Sequence, residues 1–255
     1  MARILPAAAY KPIIEGKTAQ GGSPAMDRLQ PGGAATGGGA APAPAGAVTP
    51  EAAAQHPDAA LVVVDVQNDF CPGGALAVPQ GDQVVPVLNR WIGAFHAAGR
   101  PVVFTQDWHP SGHVSFREQG GPWPVHCVQG SPGAAFHPDL QVRGTVFRKG
   151  FAPDREAYSG FDGALAAGEA GVRPEVTLAG WLRQQGVRHL YVGGLATDYC
   201  VRATVLDGLR EGFRVTVLVP AVRAVDVTPG DGERALAEME AHGALLAAGD
   251  AGEAR

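Results

Sequence analysis

Short apolar runs alternate with amphipathic segments through most of the chain from residue 60 onward. The run at 60–66 is almost continuously apolar and ends in polar residues, which is typical of a strand buried on both faces of a parallel sheet. Further apolar runs predict strands at 101–105, 145–149, 189–193, 214–219 and, as a short final strand, 243–246.

The segments between these runs have helical spacing. Segment 82–98 places six apolar side chains on one broad face and ends at Gly99, and further helices are predicted at 178–185, 198–211 and 231–241. The alternation predicts an α/β fold, a three-layer α/β/α sandwich with a mainly parallel, Rossmann-like sheet. Right-handed crossovers then place the strand-to-helix loops on one edge of the sheet.

The first 56 residues have a different composition, dominated by Ala, Gly and Pro without apolar periodicity. Such a segment buries too little surface to offset its ordering entropy, so 1–56 is predicted to be a disordered tail and 57–250 one folded domain. The tail lacks the apolar core of a secretory signal. We expect a dispensable extension, with an organelle-transit peptide or a start at Met26 as alternatives.

Charge and cysteine usage narrow the class of protein. The net charge of −5 gives no basic surface for nucleic acid, and no apolar run approaches the ~20 residues that span a bilayer. The three cysteines are an odd number without CxxC spacing, which argues against a disulfide framework and favours a reducing cytoplasm. Whether the chain is a monomer or a homo-oligomer stays open.

One loop-rich stretch, 106–130, concentrates side chains that bind metals. Asp107, His109, His113 and His126 lie within about twenty residues, after a predicted strand. Carboxylate and imidazole together suit one divalent ion, either zinc, iron or manganese, with zinc slightly favoured. His126 is the least certain of the four because a bend separates it from the others. From spacing alone, a metal site and ordinary histidines are equal alternatives.

Three reactive residues are predicted to meet on the loop edge of the sheet. Asp65 ends the first strand, Lys149 ends the third, and Cys200 lies in the first turn of a helix. A helix N-terminus and a nearby Lys favour thiolate over thiol, so the three together suggest a cysteine nucleophile with an acid/base partner. A packed Cys, a surface Lys and a loop-bonding Asp are the alternative readings.

Aromatic residues in loops on the same edge indicate what could bind there. Phe70, Trp123 and Tyr158 could form an apolar slot for a flat ring, although each alone could be ordinary packing.

Six segments together resemble the nicotinamidases of the isochorismatase-like cysteine hydrolases. They are DVQNDF (65–70), DWHPSGH (107–113), WPVHCVQGSPGA (123–134), KG (149–150), AYSGF (157–161) and GLATDYCVRAT (194–204). The likeness extends from about residue 59 to near 249, and the motifs occur together and in order.

The resemblance implies a catalytic triad of Cys200, Asp65 and Lys149. It also implies a cis peptide before Ala196, which would aim the backbone amides of Ala196 and Cys200 into an oxyanion hole. The metal would be held by Asp107, His109 and His113, with His126 contributing in many members.

The implied substrate contacts are Phe70, Trp123, Tyr158, Leu195 and Tyr199. Tyr199 is a departure, because some nicotinamidases carry His there. The implied reaction is hydrolysis of nicotinamide, and also of pyrazinamide, to the acid and ammonia through a thioester.

Three other functions are weaker readings of the sequence. A related amidase would act on another small amide or on a carbamoyl compound. A nucleotide-binding oxidoreductase is disfavoured because the first strand leads into VQNDFCPGG rather than GxGxxG. An inactive interaction protein is disfavoured because Asp65, Lys149 and Cys200 are intact.

Overall fold

Eight strands form one sheet in the computed structural model, which describes residues 48–248. The strands are Ala59–Val64 (β1), Val102–Asp107 (β2), Thr145–Lys149 (β3), Ala164–Ala167 (β4), Gly171–Thr177 (β5), His189–Leu195 (β6), Arg214–Arg223 (β7) and Leu245–Ala247 (β8). Their order across the sheet is β5-β4-β3-β2-β1-β6-β7-β8. All neighbours pair in parallel except β3 with β4 and β4 with β5.

Helices cover both faces of this sheet. They are Pro50–Ala54 (α1), Val84–Ala97 (α2), Leu178–Gln184 (α3), Arg202–Arg210 (α4) and Asp231–Ala241 (α5). Apolar residues of α1 and α2 pack in one core cluster, and those of α3, α4 and α5 pack in the other. This confirms the predicted three-layer sandwich. Within 48–248, no helix combines the length and the apolar character needed to cross a membrane.

The central strand β1 shows why the sequence folds in this way. All six of its residues are buried, and its side chains alternate between the two layers. Leu61 and Val63 pack with α2, whereas Val62 and Val64 pack with α3 and α4. Burying each such side chain contributes about 1.5–3 kcal/mol, so the strand stabilises both layers at once.

Two antiparallel strands at one edge were not predicted. The β4 sequence is ALAA, which lacks the β-branched residues typical of strands, and β5 contains Pro174 and is mostly exposed. Strand β7 also extends four residues past its predicted end at 219, because a register shift against β6 accommodates Pro220. The helix predicted from residue 198 begins as a π-helical turn, Thr197–Val201, before α4.

The predicted tail boundary at residue 56 is too late. Helix α1 begins at Pro50, where the Thr49 side chain accepts a hydrogen bond from the Ala52 N–H, and it buries Ala53 and Ala54 against the core. Alanine methyl groups leave little pattern in a sequence, yet here they pack on α2. The rest of the predicted tail, 1–47, lies outside the described residues, and its disorder stays a prediction.

Candidate active site

The three reactive residues predicted to converge lie together at the carboxyl edge of the sheet. Lys149 Nζ is 2.9 Å from Asp65 Oδ2 and 3.4 Å from Cys200 Sγ. Asp65 follows β1, Lys149 ends β3, and Cys200 lies in the π-helical turn that follows β6. Because β1 lies between β2 and β6, and β3 is next to β2, the topology brings these distant positions to one crevice.

Lys149 is fully buried and surrounded by acceptors, so it is not the surface lysine of the alternative reading. Its ammonium group contacts the carboxylates of Asp65 and Asp107 and donates to the Ala157 carbonyl at 3.1 Å. Burial alone would lower the pKa of Lys149, but the two carboxylates outweigh it and hold that pKa well above its usual range. The side chain therefore carries a positive charge between two acids.

Asp65 is also fully buried, and its backbone has a positive φ of 47°. Oδ1 accepts a hydrogen bond from the Thr105 hydroxyl at 2.7 Å, whereas Oδ2 faces Lys149 with no donor well aligned to it among the described residues. Burial raises the pKa of Asp65, and Lys149 opposes this only in part. A carboxyl group with a raised pKa can both take up and return a proton.

Burial opposes the ionisation of Cys200, whereas the helix N-terminus and Lys149 favour the thiolate. Burial raises the pKa of Cys200 well above its usual range; Lys149 lowers it, while Asp65 and Asp107 raise it further. Desolvation is the largest of these effects, because Cys200 is only 7% exposed. Ionisation of Cys200 is therefore assisted by a nearby base, and a carboxylate oxygen of Asp65 lies within 4.8 Å of Cys200 Sγ.

Asp107, His109 and His126 form a compact group of metal-ligand atoms. One atom from each lies within 4.8 Å of the others, and all three residues are buried. His109 Nδ1 contacts the Gly150 carbonyl at 3.0 Å and His126 Nδ1 contacts the Pro124 carbonyl at 2.7 Å. These carbonyls favour protons on both Nδ1 atoms, which leaves Nε2 of each ring to bind a metal. Nε2 of His109 lies 3.5 Å from Oδ2 of Asp107, the third candidate ligand.

The charges of Asp107 and His126 fit a bound cation. Burial alone would lower the pKa of His109, but Asp107 outweighs it and raises that pKa, so a metal ion would compete with a proton on this ring. Burial alone would raise the pKa of Asp107, but Lys149 and His109 outweigh it and hold the pKa below its usual range, so the carboxylate is ionised. Burial lowers the pKa of His126, which favours the neutral imidazole that binds metals. A buried carboxylate with two imidazoles is a donor set that zinc, iron and manganese accept.

His113 lies close to this group but its ring nitrogens have other partners. Its ring stacks on His109 with 4.2 Å between centroids, Nδ1 lies 2.7 Å from Ser115 Oγ, and Nε2 lies 2.9 Å from the Arg155 carbonyl. The structure thus groups His126, the least certain predicted ligand, with Asp107 and His109, and leaves out His113.

An aromatic cleft opens onto Cys200 and the ligand group. Four of the five predicted substrate contacts line it: Phe70, Trp123, Tyr158 and Tyr199. Trp123 donates from Nε1 to the Tyr158 hydroxyl at 3.0 Å and meets the Tyr199 ring edge-on at 5.0 Å. The fifth, Leu195, does not line the cleft, because its side chain packs into the core.

Four further residues of the cleft wall were missed: Leu76, Val78, Glu156 and Val225. Val225 follows β7 at the loop edge, so the topology could have indicated it. The other three lie in loops without a sequence signal.

The peptide bond between Leu195 and Ala196 is cis, as the resemblance implied. Ala196 and Cys200 both border the cleft. Their use as an oxyanion hole stays a prediction.

The fold and this site define a class of α/β protein with a buried cysteine at the carboxyl edge of its sheet. A family model described as "Isochorismatase domain" matches residues 59–250, and the chain belongs to that family.

Within the family, the chain is similar to nicotinamidases. It is 44% identical over 207 residues to the nicotinamidase of Escherichia coli (strain K12), which covers 74% of this chain and 94% of that protein. The pyrazinamidase of Pyrococcus horikoshii, solved in complex with zinc, is 49% identical with a TM-score of 0.66 and covers 74% of this chain and 98% of its own. An L. infantum protein solved with nicotinate is 37% identical with a TM-score of 0.65, over 74% of this chain and 92% of its own.

Proposed function

We propose that this chain hydrolyses nicotinamide to nicotinate and ammonia, and thereby serves the salvage of pyridine nucleotides. The observation that carries the proposal is the contact of Lys149 with both Asp65 and Cys200 beside an aromatic cleft. The names of the similar proteins support nicotinamide and pyrazinamide as substrates. The cleft is narrow and lined by aromatic rings, which suits a flat pyridine or pyrazine carboxamide.

The reaction begins with proton transfer from the Cys200 thiol to Asp65. The thiolate attacks the carboxamide carbon, and the C–N bond breaks as Asp65 returns the proton to departing ammonia. Water then attacks the thioester carbon, Asp65 takes its proton, and Cys200 leaves as the thiol of the starting enzyme. The Lys149 ammonium balances the charge of Asp65 when that group is ionised.

Backbone and aromatic groups would orient the substrate. The N–H groups of Ala196 and Cys200 would stabilise the oxyanion. Phe70 and Trp123 would flank the ring, with Tyr158 and Tyr199 completing the wall on the Trp123 side.

A single divalent ion would be held by Asp107, His109 and His126. When bound, it would supply a Lewis acid for the ring nitrogen of the substrate. We favour zinc, as in the P. horikoshii pyrazinamidase, over iron or manganese. His113 would brace His109 by stacking.

Ammonia release from purified protein tests the proposed function. We expect turnover of nicotinamide and pyrazinamide, and little from N-carbamoyl amino acids at equal concentration. The reverse order of rates would overturn the nicotinamide proposal in favour of a carbamoyl substrate.

The protein is expected to work in a reducing cytoplasm, in accord with three free cysteines.

A further inference from the structure

The carboxylate of Asp198 joins the nucleophile turn to a distant loop. Oδ1 accepts a hydrogen bond from the Val225 N–H and Oδ2 accepts one from the Asp226 N–H, each at 2.9 Å. Asp198 lies two residues before Cys200, in the π-helical turn Thr197–Val201. Its carboxylate therefore links this turn to two backbone N–H groups that lie 27 and 28 residues further along the chain.

The loop that Asp198 holds forms part of the cleft wall. Val225 is half-buried, packs on the core and lines the cleft that contains Trp123, Tyr199 and Cys200. Its position depends on the backbone of 224–226, because a β-branched side chain has little rotamer freedom of its own.

The far end of the loop is fixed to helix α5. Asp226 has a positive φ of 52° and its Oδ1 accepts a hydrogen bond from the Gly232 N–H at 2.8 Å. A β-carbon on Gly232 would lie 2.6 Å from the Ala224 β-carbon, so the loop and the start of the helix approach closely. Asp198 supplies the corresponding link between the loop and the turn that carries Cys200.

We propose that Asp198 is a positioning residue that holds Val225 against the nucleophile turn, so that Val225 limits the size of ring admitted beside Cys200. This inference rests on the proposed hydrolysis of nicotinamide. Two neighbouring N–H groups need two acceptors, and one carboxylate provides both. An asparagine offers a single oxygen, and its NH₂ group would face the second N–H.

The substitution Asp198→Asn tests this, with Asp226→Asn as the matched control. Both remove one negative charge within the same contact, but Asp226 uses one oxygen in its hydrogen bond, which asparagine retains. For Asp198→Asn we expect KM for nicotinamide to rise about tenfold with a smaller change in kcat. We also expect the preference for nicotinamide over at least one ring-methylated nicotinamide to fall about tenfold. The control should stay within about twofold of the parent in both quantities.

An unchanged preference in Asp198→Asn, with the fold intact by thermal unfolding, would overturn the inference. If Asp198→Asn fails to fold, Val225→Ala carries the test, because it widens the wall and leaves both Asp198 hydrogen bonds in place. It must relax the preference for the unsubstituted ring, and an unchanged preference would count against the inference.

Alkylation of Cys200 separates this inference from the proposed function. The ratio of its alkylation rates with iodoacetamide and N-phenylmaleimide, followed on the Cys200 peptide by mass spectrometry, reports access without any substrate. We expect Asp198→Asn to favour the bulkier reagent relative to the parent. A shifted ratio in a protein that does not hydrolyse nicotinamide would reject the function and keep the positioning role. Hydrolysis of nicotinamide together with an unshifted ratio of alkylation rates would support the proposed function and reject the positioning role of Asp198.

Discussion

At the scale of single residues, the site depends on how buried charges and rings share their partners. Lys149 contacts Asp65, Asp107 and Cys200 at once, and none of these side chains is well solvated. The sequence indicated that Asp65, Asp107 and Lys149 lie at strand ends and Cys200 at a helix start, but not which contacts each would make. Lone strand-end residues looked equally like surface or packing positions until the topology brought them together.

Replacing Lys149 with Met should remove activity and stability together. The side chains have similar volumes, but two buried carboxylates would lose their counter-charge. We expect a loss of about 3–5 kcal/mol in the free energy of unfolding and at least about a 10³-fold fall in kcat/KM. Urea denaturation and ammonia release measure these effects. A variant as stable and active as the parent would contradict the buried ion cluster.

His126 and His113 should differ in their effect on metal binding. His126→Ala removes a ligand nitrogen and should weaken zinc binding by at least about 100-fold, whereas His113→Ala should change it by about tenfold or less. Calorimetric titration of zinc into the metal-free proteins measures both without relying on activity. Equal losses of zinc affinity in the two variants would show that His113 binds the metal as strongly as His126 does.

The difference between these histidines could not be predicted from spacing. His113 is only four residues from His109, and Pro110 and Gly112 allow the chain to turn back. What separates the two is the local capture of the His113 ring by Ser115 and the Arg155 carbonyl. Such partners depend on the loop conformation rather than on residue type.

At the scale of elements, the unpredicted hairpin of β4 and β5 is fastened to β3, the strand that carries Lys149. Arg148 donates to the carbonyls of Gly168, Glu169 and Gly171 in the hairpin turn, and its guanidinium lies 4.0 Å from the centre of the Trp108 ring. Arg148 alone therefore provides hydrogen-bond donors for three backbone carbonyls of the hairpin, whose Gly and Ala residues have little strand propensity.

Arg148→Lys should loosen this hairpin. A lysine ammonium cannot donate to three carbonyls while stacking on Trp108, so we expect a loss of roughly 1–3 kcal/mol in the free energy of unfolding. Arg173→Lys on exposed β5 is the control and should change it by less than about 0.5 kcal/mol. Equal stability of both variants in urea would show that the contacts of Arg148 contribute nothing.

At the scale of the whole molecule, the alternation of strand and helix predicted most of the fold and the meeting of the triad. A parallel sheet with right-handed crossovers puts the ends of β1, β3 and β6 on one edge whatever their loops contain. The edge hairpin, the position of Leu195 and the start of the folded region were not predictable in this way. The hairpin and the start of the folded region depend on the packing of alanines, and the position of Leu195 depends on the direction of its side chain.

Stability of the whole domain should also depend on pH through His189, at the opposite end of β6 from the site. Its Nε2 lies 2.8 Å from Thr216 Oγ1, and burial, together with Arg214, lowers the pKa of His189 from 6.5 to about 4. Between these values the unfolded chain binds a proton that the folded protein does not, so stability falls as pH falls from 6.5 to 4.

The His189→Gln variant isolates this effect. We expect the free energy of unfolding of the parent to fall by roughly 1–2 kcal/mol more than that of the variant across this range, allowing for partial exposure of the ring. Denaturation at several pH values measures the difference. Parallel curves for the two proteins would contradict the lowered pKa.

The central claim is that Cys200 is the nucleophile, and ammonia release by Cys200→Ala tests it most directly. Cys71→Ala is the matched control, because it removes another buried thiol away from Lys149. With the fold verified by thermal unfolding, we predict that Cys200→Ala loses at least about 10³-fold in kcat/KM for nicotinamide while Cys71→Ala remains active. Ammonia release by Cys200→Ala at a rate close to that of the parent would contradict the account.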